Sequence, residues 1–139
     1  MALRWLIYGA YGYSGKLIAH QAKKRGYQPI LAGRNENALE PVARHLDFQY
    51  KVFSLDSIDE VQKQLEDVDL VVNCAGPFSQ TAIPLIQACI DTKTHYLDIT
   101  GEIDVFEYAH SMHKTAREAG IVLCPGIGFD VIPTDCIAA

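Results

Sequence analysis

No apolar run in the chain approaches the ~18 residues a helix needs to cross a bilayer, so no membrane span is expected. Positive charge is scarce as well. Twelve Lys and Arg against 17 Asp and Glu leave a net charge of −5, which argues against a general nucleic-acid binder with its basic stripe. Cysteine is limited to positions 74, 89, 124 and 136. None forms a C-x-x-C pair and at most one His stands near any of them, so a metal site is not expected. Cys74 and Cys124 end apolar runs and read as small buried hydrophobes in a reducing, cytoplasmic setting. The opening Met1-Ala2-Leu3-Arg4 runs straight into an apolar stretch, so no signal peptide is expected. Repeats, low-complexity tracts and linkers are absent. What remains is 139 residues, 49% of them apolar, which suits one domain with a core of two or three layers.

The chain is organised around residues 4–15. Trp5 to Tyr8 is apolar and of strand length, and glycines follow at 9, 12 and 15. Good helix formers run from Lys16 to Arg25 and stop at Gly26. Strand, glycine turn and helix in this order form the context of a dinucleotide-binding turn. Gly9 lets the chain turn off the strand, Gly12 leaves room for a pyrophosphate, and Gly15 lets the helix pack close to the strand. The first helical turn offers unpaired N–H groups and the positive end of a dipole to an anion. The alternative is a plain structural glycine turn.

Alternation continues downstream. Strands are expected at Gln28–Ala32, Gln49–Phe53, Asp69–Asn73, His95–Asp98 and Ile121–Cys124. Helices are expected at Asn35–His45, from the Ser57/Glu60 capping box to Leu65, at Thr81–Asp91 and at Glu102–Ala119. Pro41 and Pro84 fit only the first turns of their helices. Leu39, Val42, Ala43 and Leu46 should form one buried face, and Val105, Ala109, Met112 and Ala116 another. Six strands alternating with five helices imply an α/β doubly wound parallel sheet of Rossmann type, ordered 3-2-1-4-5-6. A ligand then lies at the C-terminal strand ends: Gly9 to Gly15, Gly33-Arg34, Leu55-Asp56, Asn73 to Phe78 and Asp98 to Glu102.

The residue about 20 positions past the glycine turn selects the cofactor. Here it is Arg34. An acid there would serve the free ribose of NAD, whereas the guanidinium fork suits the 2′-phosphate of NADP. Gly33 leaves space for the ribose. Glu36 is the nearest acid and also reads as a favourable first-turn residue. Asp56 reads equally as a partner of the adenine amino group and as a helix cap. Ala75 and Gly76 are small where a cofactor passes close to backbone. Tyr11 and Tyr13 can pack on the cofactor or stand as partly exposed aromatics. The cofactor-binding set is therefore Gly9, Ala10, Tyr11, Gly12, Tyr13, Ser14, Gly15, Arg34, Asp56, Ala75, Gly76, Pro77 and Phe78. Asp98, Glu102 and Asp130 stand near the nicotinamide end. Each is a candidate proton relay, with helix capping as the alternative for Asp98, Thr100 and Glu102. His95, His110 and His113 lack a third ligand and are not read as metal-binding.

The blocks Gly9 to Gly15, Leu31-Ala32-Gly33-Arg34 and Asn73 to Phe78 resemble the N-terminal domain of saccharopine dehydrogenase-like oxidoreductases. Tyr96 to Glu102 and Gly128 to Asp135 resemble the branch that includes the trans-acting enoyl reductases, with Val131 standing where that branch has serine. The resemblance covers essentially the whole chain. It implies an NADP-linked hydride transfer, a small-molecule substrate and a substrate domain following this one. On that reading residues 1–139 are the cofactor domain and are inactive alone. The alternative is a regulatory or scaffolding nucleotide-binding module without catalysis. An edge strand at Ile121–Cys124 and an uncovered apolar surface lead to the expectation of a homo-oligomer.

Overall fold

The protein, seen in a computed structural model, is described over residues 3–129 and 131–139. Asp130, one of the candidate proton relays, lies outside the described residues. The chain runs β1 (Trp5–Tyr8), α1 (Tyr13–Lys24), β2 (Ile30–Gly33), α2 (Glu36–Leu46), β3 (Tyr50–Val52), α3 (Ile58–Leu65) and β4 (Leu70–Asn73). It continues through α4 (Phe78–Thr92), β5 (His95–Asp98), α5 (Ile103–Ser111), α6 (His113–Ala119), β6 (Leu123–Cys124) and α7 (Ile132–Ala138). The six strands form one parallel sheet ordered β3-β2-β1-β4-β5-β6, as the alternation predicts.

Strand alternation sorts the core into two halves. Leu6, Tyr8, Ile30, Ala32 and Val71 point to one face, where they meet Val61, Leu65, Leu85, Ile86 and Val105 of α3, α4 and α5. Ile7 and Leu31 point to the other face, against Ala19 of α1 and Leu39, Ala43 and Leu46 of α2. Each fully buried Leu or Ile contributes roughly 1.5–3 kcal/mol relative to exposure. The register sets Tyr8 opposite Ala32 on one side and Asn73 on the other, and Asn73 opposite Asp98. The C-terminal ends of the central strands are thus level, and the loops that leave them share one rim.

Several local expectations are corrected. α1 begins at Tyr13, inside the glycine motif, and β2 extends to Gly33. α4 begins at Phe78, three residues before the predicted start. Pro41 and Pro84 both lie in helix interiors. Each removes one backbone donor; tertiary burial on the opposite face, through Leu39 and Ala43 or Leu85 and Ile86, outweighs the loss. The single helix predicted over 102–119 divides at Met112 (φ −85°, ψ 2°). Ser111 Oγ donates to Tyr108 O at 2.7 Å there, and such side-chain back-bonding bends helices. Val105, Ala109 and Ala116 nevertheless stay on one buried face across the break. α7 is an addition, and none of its residues is buried. Cys124, read as buried, is exposed. Among the described residues all four cysteines are free thiols.

Candidate functional site

The rim holds a cleft of about 460 Å³ lined by Tyr8, Gly9, Tyr11, Gly12, Gly33, Arg34, Ser54, Leu55, Asp56, Cys74, Ala75, Gly76, Pro77, Gln80 and Thr81. It lies between the β1–α1 turn and the β4–α4 turn, at the point where the strand order reverses. Of the predicted set, Gly9, Tyr11, Gly12, Arg34, Asp56, Ala75, Gly76 and Pro77 line it. The other five do not. Ala10 is wholly buried, Tyr13 is 84% exposed, and Phe78 packs on the α3–α6 core. Gly15 is buried beneath the turn and Ser14 lies on the first turn of α1. Ser54, Gln80 and Tyr8 have no site role in the sequence reading; Thr81 enters it only as a helix start, and Cys74, which reads there as a buried hydrophobe, is half-buried in the cleft wall. Tyr8 and Cys74 carry no local polar signal, and Thr81 and Gln80 reach the cleft only because α4 begins early.

The glycines show why the turn needs them. Gly9 has φ +79°, and a Cβ on it would sit 2.8 Å from Ala75 N and 2.9 Å from Ala75 Cβ. A Cβ on Gly15 would lie 2.8 Å from Ala10 Cα and closer still to Gly9 O, so α1 presses directly on the turn. Gly12 differs. Its ordinary φ of −72° allows a side chain, and the nearest atom to an added Cβ is Gly9 O at 3.3 Å. That contact is tight, but no other atom lies within 4 Å, so the rest of the space about Gly12 is a cradle that a side chain would fill. Above it, α1 has no side-chain cap and no acid in its first turn. An open helix N-terminus over a glycine cradle fits a pyrophosphate group.

Gly33 has a different reason to be small. A Cβ there would fall 2.5 Å from Tyr11 Cε1. The room read as space for a ribose is taken by the Tyr11 ring. Arg34 follows, exposed, and the next residue, Asn35, caps α2 by accepting from Ala38 N–H at 3.2 Å. Among the described residues Arg34 forms no ion pair, whereas Arg4 before β1 and Lys51 in β3 are both paired with Asp67. The cleft thus keeps an uncommitted guanidinium at the end of β2.

The acids behave otherwise. Ser57, not Asp56, caps α3, accepting from Glu60 N–H at 3.5 Å. Glu60 accepts from Gln64 instead of closing the expected capping box. Asp98 is wholly buried. Its Oδ2 accepts from Tyr96 OH at 2.8 Å, and its Oδ1 accepts from Thr100 N–H at 3.0 Å and Gly126 N–H at 2.9 Å. Glu102 precedes α5 but does not cap it. Its two carboxylate oxygens accept from Phe78 N–H and Ser79 N–H of α4, each at 2.8 Å. Those donors, Phe78 first, hold its carboxyl below the ordinary 4.5. Burial pushes the Tyr8 phenol up to about 12, and its proton goes to Phe53 O at 3.2 Å. Burial, then the Asp98 carboxylate, pushes the Cys74 thiol up to about 12, so it is a neutral thiol and no nucleophile. Among the described residues no cluster of His, Cys, Asp and Glu can hold a metal ion. No helix among them is long and apolar enough to cross a membrane.

Fold and cleft together define a dinucleotide-binding domain of the doubly wound class. Residues 5–124 match the family of the saccharopine dehydrogenase NADP binding domain, and the chain belongs to that family, so its nicotinamide cofactor is NADP. A probable mitochondrial saccharopine dehydrogenase-like oxidoreductase of Arabidopsis thaliana is 32% identical over 147 residues, covering 94% of this chain and 32% of the relative. A trans-acting enoyl reductase of Mycobacterium leprae is 32% identical over 138 residues, covering 94% and 33%. The chain therefore spans about a third of the length of these relatives. Apo saccharopine dehydrogenase (L-Glu forming) from Saccharomyces cerevisiae superposes with a TM-score of 0.79 at 17% identity, over 93% of this chain and 28% of that one. That likeness speaks to the fold alone.

Proposed function

We propose that this chain is the cofactor-holding part of an NADP(H)-dependent oxidoreductase that reduces a small unsaturated substrate, an enoyl or imine group. The observation that carries the reading is the pairing of an open glycine cradle under α1 with an uncommitted Arg34 at the end of β2. When bound, the cofactor supplies a hydride. The chain's own residues do the rest. Gly12 lets the pyrophosphate approach the first-turn N–H groups of α1. Arg34 takes the 2′-phosphate bidentately. Ala75, Gly76 and Pro77 form the opposite wall, and Asp56 stands at the adenosine end. Tyr11, resting on Gly33, floors the space beside the ribose.

Catalysis draws on chain beyond these residues. The relatives are about three times as long, and substrate pockets form commonly where domains meet. Residues 1–139 alone therefore have no dehydrogenase turnover, and self-association of the cofactor domain and a reducing compartment complete the reading. Titration with NADPH and NADH, followed by fluorescence or calorimetry, tests the cofactor site. NADPH binds more tightly on this reading; equal affinities remove the role given to Arg34.

One observation favours a second reading, a nucleotide-binding module without chemistry. Asp98 and Glu102, the two described candidate relays, are both engaged by the protein's own donors. NADPH oxidation by the full-length protein, offered enoyl and imine substrates, separates the two readings. Turnover excludes the module; its absence with intact NADPH binding supports it.

A further inference from the structure

Four side chains form a hydrogen-bonded line from the centre of the fold to the cleft wall. Asp98 Oδ2 accepts from Tyr96 OH at 2.8 Å. Tyr96 has one hydroxyl proton and gives it to Asp98, so its oxygen accepts from Asn73 Nδ2 at 3.1 Å. Asn73 Nδ2 has a second proton, which goes to Thr81 Oγ1 at 3.0 Å. Thr81 in turn donates to Ala75 O at 2.6 Å, and Asn73 Oδ1 accepts from Ala75 N–H at 3.0 Å. The Thr81 proton has a second, longer acceptor in Pro77 O at 3.5 Å, and the short contact to Ala75 O is the dominant one. A flipped Asn73 amide would set two donors, its own NH₂ and Ala75 N–H, against each other. The donors therefore run outward from the Asn73 amide in two directions, through Tyr96 to the Asp98 carboxylate and through Thr81 to Ala75 O.

The line ends on one residue, Ala75, whose N–H and C=O are both held by side chains. Ala75 is also the residue against which Gly9 packs, since a Cβ on Gly9 would stand 2.8 Å from Ala75 N. Moving Ala75 therefore moves the first glycine of the cradle. We propose that Thr81 is a positioning residue for the cofactor: through Ala75 it sets the separation of the β4–α4 turn from the glycine turn, and so the width of the cleft. Thr81 lines that cleft, and its hydroxyl donates to Ala75 O while accepting from Asn73. Its action on the cofactor is geometric. The inference rests on the cofactor reading above, and it adds a residue that no glycine fingerprint contains.

The test uses Thr81→Val, nearly isosteric but without a hydroxyl, and Thr81→Ser, which restores the hydroxyl without the methyl. Tyr96→Phe interrupts the same line one step further out. In the cofactor-free protein, the Gly9 amide resonance in a ¹⁵N correlation spectrum shifts in Thr81→Val and returns towards the wild-type position in Thr81→Ser. With cofactor, Thr81→Val weakens NADPH and NADH by the same factor, about tenfold, and Thr81→Ser recovers to within about threefold of wild type. A uniform loss is expected because the contact lies at the pyrophosphate and not at the 2′-phosphate. Tyr96→Phe gives a smaller loss in the same direction. An unmoved Gly9 resonance in Thr81→Val, or a serine variant no better than valine, overturns the proposal. A wild-type chain that binds neither cofactor while the Gly9 shift appears leaves the mechanical link standing and refutes the cofactor reading instead.

Discussion

Of the helices that start at the rim of this sheet, α1 and α4 flank the cleft, and the chain treats them in opposite ways. α4 begins at Phe78 with Pro77 before it, a residue that cannot cap through its side chain. The deficit is met from 24 residues away, where Glu102 gives one carboxylate oxygen to each of the first two N–H groups. α1 begins at Tyr13 with Gly12 before it, also a residue without a side-chain cap, and nothing in its first turn is acidic. Orphan N–H groups at a helix start need an acceptor. At α4 the protein supplies a permanent anion. At α1 it leaves the place open and surrounds it with glycines. The seat filled by the chain's own carboxylate is closed to a phosphate by charge and by occupancy. Of the two helices flanking the cleft, α1 alone keeps its N-terminus open.

Making α1 resemble α4 should have the largest effect. Gly12 is in extended N-cap geometry, so Gly12→Asp can cap the helix itself. The substitution is expected to abolish NADP(H) binding, by roughly a hundredfold or more, the upper end for a charge set against a phosphate. Thermal stability should hold or rise. A variant that melts normally and still binds NADPH places the phosphates elsewhere. Gly12→Val should block binding as well, through bulk alone.

Next in size is the charge at the other end of the cleft. Arg34→Ala should weaken NADP(H) by ~1.5–3 kcal/mol, the range for a hydrogen bond to a charged group. NAD(H) binding should change little. Calorimetric titration of both cofactors reads the difference; parallel losses would show that Arg34 does not distinguish them.

The filled seat gives a pH signature. Glu102 is held below its ordinary 4.5 by the α4 donors, so the folded state favours its ionised form. Its contribution to stability is complete above that value and is lost as pH falls through the lower folded-state value. Glu102→Gln should therefore melt below wild type at neutral pH, with the gap closing in acid. Melting curves between neutral and acid pH check this, and a gap that persists unchanged in acid would mean the carboxylate is not what holds α4.

The smallest effect belongs to an ordinary local cap. Asn35→Ala removes the acceptor for Ala38 N–H and should cost ~1 kcal/mol of stability. The ratio of NADPH to NADH affinity should stay at the wild-type value despite the neighbouring Arg34. Denaturant unfolding and the two titrations together decide it.

The parts of the fold that were legible in advance rest on short-range signals. Strand, turn and helix at 5–24, the alternation of apolar runs and the position of Arg34 after β2 are all patterns within about 30 residues, and connection handedness then leaves one sheet order. Boundaries were less legible. The proline rule placed the start of α4 at Thr81, and Pro84 is tolerated in the interior because Leu85, Ile86 and Ala88 are buried beside it. In the sequence Glu102 and Asp98 read as caps of the nearest helix or as proton carriers, since sequence shows only neighbours along the chain.

By itself the sequence determined the doubly wound order, the glycine cradle and the cation at the end of β2, because periodicity and backbone sterics act locally. The tertiary structure alone decided which acid closes which helix, that Gly33 is small for Tyr11, and that Ala75 rests on Gly9. These depend on strand register. Asn73 stands beside Tyr8 and Asp98 only once β1, β4 and β5 are in the sheet, and hydrogen bonds reaching across 8 to 28 residues have no counterpart in local pattern.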